Sequence, residues 1–146
     1  MNRFSRLVNL RRIREEATGQ LFSQAAARVE ELVRERRRLE EGIREARSQA
    51  LDSLGQGEAR LPPQLVEDFF SGQALRLQRV EEARRKAEKR REEALQVWKG
   101  ARIELKQAEI LEEKQGAREV AERQRQELMK LDEVGVQQYR RRLQEE

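Results

Sequence analysis

Five arginines, Arg3, Arg6, Arg11, Arg12 and Arg14, precede the first acidic residue, Glu15, and Arg140, Arg141 and Arg142 stand together near the other end of the chain. Guanidinium groups gathered in this way bind anions, because each is planar, permanently charged and able to take two carboxylate or phosphate oxygens at once. That is recognition chemistry, with no bond made or broken. Basic residues in the first turn of a helix also oppose its macrodipole, so a helix starting among these arginines implies that something else holds that end. The competing reading leaves the arginines solvated, or neutralised by Glu145 and Glu146. Neither cysteine nor histidine occurs in the chain, which excludes Cys/His zinc sites, Ser-His-Asp triads and Cys-His dyads. Carboxylate pairs such as Glu40-Glu41 and Glu112-Glu113 have no cleft to shift their titration, and read as solvated positions. No catalytic residue, metal ligand or cofactor site is expected, and the chain is read as a non-enzyme.

A second group is apolar. Leu65, Val66, Phe69 and Phe70 form a short amphipathic piece, and adjacent phenylalanines on a helix do not both face one narrow seam. One of them is expected to cover the loop end of the fold. The alternative is an exposed apolar patch of the kind that marks a protein contact.

The elements that carry these groups follow from periodicity. From Leu77 the stripe Leu77, Val80, Arg84, Ala87, Arg91, Ala94, Trp98, Ala101, Leu105, Ala108 steps alternately by three and four, the a/d signature of a coiled coil. An earlier stripe begins Leu7, Leu10, Ile13, Ala17, Leu21, Ala25 and settles into Val29, Leu32, Arg36, Leu39, Ile43, Ala46, Ala50. Its successive four-residue steps from Ile13 to Ala25 predict a stutter, which locally unwinds the supercoil. One plain break, from Gly55 to Pro63, separates the two stripes. The expected fold is therefore all-α, a long two-helix antiparallel coiled-coil hairpin and a single coiled-coil domain over residues 1–146. Arm one covers about 2–54 with Asn2 as its N-cap. The loop is 55–63, a short helix and hinge at Ser71-Gly72 occupy 64–72, and arm two covers about 73–143. Pro62 or Pro63 starts the return.

At 1.5 Å per residue the arms would measure ~80 and ~105 Å, so part of arm two lacks a partner within the hairpin. That part must be solvated, fold back, or bind another molecule. Residues 1 to 20 are expected beside roughly 120 to 143, and Trp98 beside Ala25, Ala26 and Ala27. Near Glu112 the stripe slips phase before Ala117, Ala121, Gln124, Leu128 and Leu131. Glu30/Arg34, Glu40/Arg44, Glu81/Arg85, Glu82/Lys86 and Glu119/Arg123 place an acid four residues before a base, each worth ~0.3 kcal/mol of helix.

Charged residues make up 41% of the chain and hydrophobic ones 36%, too narrow an apolar stripe for a globular core. The 32 basic and 28 acidic residues are mostly interleaved, which describes a solvated coiled-coil face better than a phosphate-binding stripe. No nucleic acid is expected as a partner. No apolar run is long enough for a membrane span or a signal-peptide core, so no direct membrane insertion is expected and a cytoplasmic location is. Two other classes stay open: a basic coiled coil that binds nucleic acid or anionic membrane, and a generic structural coiled coil that dimerises through the unpaired part of arm two.

The opening Phe4-x-x-Leu7-x-x-Leu10-Arg11-x-Ile13-Arg14-Glu15-Glu16-Ala17 resembles the start of the FliJ/YscO family of type III export stalk proteins. So does the closing Lys130-Leu131-Asp132-Glu133, followed by Tyr139-Arg140-Arg141. Length, the single break and the charged body agree, so the likeness spans essentially the whole chain. It implies a coiled coil similar to the central stalk, the gamma subunit, of rotary ATPases. The terminal end would insert into the hexameric export ATPase and promote its assembly. The stalk would also reach the export gate membrane protein and bind export chaperones, peripherally at the inner-membrane export apparatus. Arg3, Arg6, Arg11, Arg12, Arg14, Arg140, Arg141 and Arg142 would serve the ATPase ring, and Leu65, Val66, Phe69 and Phe70 the gate or chaperones. The opening and Tyr139 favour the flagellar branch over the injectisome branch, which is the alternative. Glycine content and the double proline depart from the family pattern.

Overall fold

A computed structural model describes residues 2–55 and 62–145. They form α1 (Ser5–Gly55) and α2 (Pro63–Glu145), two long helices packed against each other as an all-α hairpin, with no strand among the described residues. Residues 56–61, most of the expected loop, lie outside the described residues. Pro63 opens α2, where its missing N–H leaves no helical bond unmade. The Pro62 carbonyl accepts the backbone N–H groups of Leu65 at 3.1 Å and Val66 at 3.4 Å. At the start of α1 the Asn2 Oδ1 accepts the Phe4 N–H at 2.9 Å, and its carbonyl takes the Ser5 N–H at 3.0 Å, a side-chain cap of the expected kind. The separate helix and hinge at 64–72 are not seen: α2 runs on through Ser71 and Gly72. A glycine costs a helix interior only about 1 kcal/mol, too little to interrupt a cooperative helix already propagating on both sides.

Two compact units make up the chain: Glu16–Lys99, and Met1–Glu15 together with Gly100–Glu146. Within Glu16–Lys99 the covered positions of α1 step through Thr18, Phe22, Ala25, Val29, Leu32, Arg36, Leu39, Ile43, Ala46 and Ala50. Those of α2 step through Val66, Phe70, Gln73, Leu77, Val80, Arg84, Ala87, Arg91, Ala94 and Trp98. Val29, Leu32 and Ala87 form the core, with Ala83 packed against it.

Three seam positions of this unit, Arg36, Arg84 and Arg91, are charged. Arg36 reaches Glu81 across the helices at 3.0 Å and Glu40 on its own helix at 3.1 Å, while Arg84 pairs with both Glu81 and Glu88. A polar layer of this kind costs contact area but disfavours every alignment that would leave it unpaired. The Glu81 carboxyl is held below its ordinary 4.5, first by the hydrogen bond from Arg84 and then, against desolvation, by the charges of Arg36, Arg84 and Arg85. Of the five expected acid-before-base pairs, Glu81–Arg85 forms, at 3.8 Å; Glu40 turns back to Arg36 instead of forward to Arg44.

Trp98 meets Gly19 and Phe22, not Ala25 to Ala27. A Cβ at residue 19 would stand 2.9 Å from the indole Nε1. The ring stacks on Phe22 with centroids 5.4 Å apart and planes 15° from parallel. Glycine here is a packing requirement.

In the unit of Met1–Glu15 with Gly100–Glu146, Val8, Ala101 and Ala108 are buried. The covered positions at and just before α1 include Phe4, Leu7, Val8, Arg11 and Glu15, and those of α2 include Ala101, Leu105, Ala108, Glu112, Gln115 and Glu119. Both correct the sequence reading. The stutter is absent, because covered positions on α1 keep the three-four alternation from Phe4 to Ala50. Leu10, Ile13 and Leu21 are 65%, 63% and 59% exposed. The slip near Glu112 is absent too, since the α2 seam stays in phase to Glu119. The physical reason is shared: α2 presents an unbroken heptad, and only an unbroken heptad on α1 can stay against it. That requirement selects Val8, Arg11, Glu15 and Thr18 over a more apolar stripe.

Two measurements check these contacts. Gly42→Ala, with nothing within 4 Å of the added methyl, should stabilise the chain by about 1 kcal/mol in urea unfolding. Gly19→Ala should gain none of this and should shift the fluorescence of the single tryptophan. For Glu81, a lowered carboxyl contributes stability above its unfolded pKa and loses it as pH falls through the folded one. The stability difference between wild type and Glu81→Gln should thus be full above pH 4.5 and shrink below it.

Candidate functional site

The N-terminal arginines are tied down. Arg11 and Arg14 both reach Glu104, at 2.8 and 3.1 Å, and Arg12 approaches Glu109 at 3.9 Å. The Arg3 guanidinium lies over the Phe4 ring, 4.9 Å from its centroid. Asn2, besides capping α1, donates its side-chain amide to the Glu112 carbonyl at 2.7 Å. These contacts set the level of α1 on α2: residues 2 to 14 stand beside 104 to 112. They do not stand beside 120 to 143. Packed helices of equal rise advance equally along their seam, and Asn2, just before α1, lies level with Glu112.

Arg140, Arg141 and Arg142 therefore do not join the N-terminal arginines in one basic cluster. They lie some 45 Å farther along α2 at 1.5 Å per residue, fully on the surface. Arg142 in the last turn complements the helix dipole. Every described residue from Ala121 onward is exposed, including Leu128 at 62%, Leu131 at 66% and Tyr139 at 64%. What this stretch offers is an apolar stripe followed by three cations.

Within Glu16–Lys99, Leu65, Val66, Phe69 and Phe70 do come together. They line an open groove of about 390 Å³ with Ala46, Gln49, Ala50 and Ser53 of α1. Phe70 is half-buried on the seam and Phe69 is 47% exposed, so one ring covers the hairpin and the other is presented to solvent. The rings meet edge to face at 5.4 Å, and the Arg47 guanidinium sits 5.7 Å from the Phe70 centroid. Arg47 was missed from sequence; its signal is its place one helical step past the seam residue Ala46.

A family model described as Flagellar FliJ protein matches residues 1–144 of the chain. The chain belongs to the FliJ family. Comparisons with curated proteins and with solved structures gave no match. A FliJ-family chain is, at that level, a component of flagellar-type export, and the family's role is non-catalytic. No helix among the described residues is long and apolar enough to cross a membrane, and no group of three or more acidic, histidine or cysteine side chains among them is placed to hold a metal.

Glu104 is the acid that anchors the start of α1. Glu104→Lys should lower stability by about 1 kcal/mol or less, given the exposure of the pairs. It should selectively raise amide exchange over residues 2–14 while leaving the amides around Val29 and Leu32 protected.

Proposed function

We propose that this FliJ-family chain is the non-enzymatic stalk of a flagellar type III export apparatus. It enters the central hole of the hexameric export ATPase, promotes ring assembly and hydrolysis, and links the ring to the export gate and to export chaperones. It works in the cytoplasm, peripherally at the inner-membrane export apparatus. The observation that carries this reading is the stretch of α2 beyond Glu119. It is a helix that its own chain leaves uncovered, with an apolar stripe and Arg140, Arg141 and Arg142 available to acidic groups lining a pore. The N-terminal Arg11, Arg12 and Arg14 take a different part from the one their charge implies: paired with Glu104 and Glu109, they hold the hairpin that presents this helix. Arg3 and Arg6 remain on the surface as secondary ring contacts. Leu65, Val66 and Phe69, beside the half-buried Phe70, form the contact for the gate or a chaperone.

Replacing Arg140, Arg141 and Arg142 together by glutamate should reduce co-purification with the export ATPase and its stimulated hydrolysis by at least tenfold, with helicity unchanged. Wild-type ring assembly and hydrolysis in that variant would rule out the cationic contact, and a wild-type chain that never engages a hexameric ATPase would rule out the stalk reading.

A further inference from the structure

A second groove, of about 570 Å³, lies between the helices within Glu16–Lys99, apart from the one beside Phe69. Its floor is apolar, made by Leu21, Ala25 and Leu32 of α1 and by Ala83 and Ala87 of α2. Leu32 and Ala87 belong to the core, while Leu21 is 59% exposed. The rim is cationic: Arg28, Lys86 and Arg90 line it, and no carboxylate does. Lys86 and Arg90 are exposed. The ion pairs of this stretch go to Arg28, Arg36, Arg84 and Arg85 instead.

The interleaved sequence conceals this sorting of charge. Arg79 and Arg76 stand one heptad before Lys86 and Ala83 and continue the same flank of α2, whereas Glu81 and Glu88 fall on the other side of the seam residue Arg84. The patch is also short. By helical spacing Glu31, Glu35 and Glu93 stand at its edges.

We infer that this groove receives an acidic amphipathic helix of another protein, its apolar residues on the floor and its carboxylates on Lys86 and Arg90. Those two cations are four residues apart, about 6 Å along α2, so a helix lying alongside meets them with carboxylates at the same spacing. Ala25, Ala83 and Ala87 let its axis come close, since the side chains at a contact set the distance between packed helices. The pair of Arg28 with Glu31, at 3.1 Å and more than half exposed on both sides, is weak enough to exchange. Arg28 can then turn to a third carboxylate of the incoming helix. A bare polyanion fits less well. It would leave the apolar floor wet, and its evenly spaced charges would run on into Glu31, Glu35 and Glu93. A helix sets its own side chain at each position, so it can match both the cations and the acids that bound them.

The test uses the full-length chain and a fluorescein-labelled synthetic peptide, with leucines at three-four spacing flanked by glutamates four residues apart. In anisotropy titrations the peptide should bind saturably and one to one. Lys86→Glu with Arg90→Glu should weaken binding by about tenfold or more. Arg37→Glu with Arg44→Glu changes the net charge equally, at exposed positions on the other flank of α1, and should weaken it by about twofold or less. Leu21→Asp, at a site already open to solvent, should also cost about tenfold, with helicity by circular dichroism at the wild-type level. A peptide of the same composition in scrambled order should bind about tenfold more weakly than the patterned one. Absence of saturable binding would overturn the inference, as would equal losses in the two charge-reversed variants or a Leu21→Asp chain that binds like wild type. Polyphosphate or phosphatidylglycerol vesicles held more tightly than the peptide would overturn it too, and so would a chain that dimerises and excludes the peptide. None of these outcomes bears on whether the chain engages an ATPase.

Discussion

Two helices packed antiparallel climb at the same rate, and most of what distinguishes this protein follows from that constraint. Within each of the two units, the covered residues of α1 meet a set level of α2. Arg36 with Glu81 marks that level in one unit, and Arg11 with Glu104 marks it in the other. Because α2 is 83 residues long and α1 is 51, the pairing runs out on one side only. Beyond Glu119 the described remainder of α2 is left uncovered by α1.

The seam that enforces this pairing is thin. No large side chain is fully buried among the described residues, and three of the seven most buried apolar positions are alanines, Ala87, Ala101 and Ala108. Apolar area alone gives such a seam little preference among alignments that differ by a heptad, since each layer contributes a small, similar amount. Specific features supply the preference. The paired charges around Glu81 tolerate one alignment, Gly19 accepts the Trp98 ring where a methyl would collide, and Asn2 both caps α1 and ties it to Glu112.

Much of this was legible in the residue order. The single break, the helix start at the double proline, the Asn2 cap and the α2 seam from Leu77 to Ala108 all follow from turn chemistry and period. Before Val29 the α1 seam was legible only at Leu7 and Ala25, which are covered, and not at Leu10, Ile13, Ala17 and Leu21, which are exposed. Leu10, Ile13 and Leu21 outrank Arg11, Glu15 and Thr18 in apolarity, so periodicity read on one helix alone selects a face that the partner helix never meets. Hydrophobic rank is a property of one strand, while the seam is a property of two. The placing of Arg140 to Arg142 failed for a related reason: matching chain ends ignores the unequal helix lengths. Nor does sequence pattern separate Phe69 from Phe70, whose roles part only when Ala46 and Ala50 are known to lie beneath.

The thinness of the seam also sets how the hairpin would respond to a pull. Force applied across the free ends of the two helices would peel them apart layer by layer, with small and nearly equal resistance wherever alanine meets a short side chain. Resistance would rise at Glu81, whose pair with Arg36 joins the two helices, while its pair with Arg84 lies within α2 and stays intact. Under tension the molecule would therefore yield in steps, with the pair of Arg36 and Glu81 acting as a catch partway along the tear.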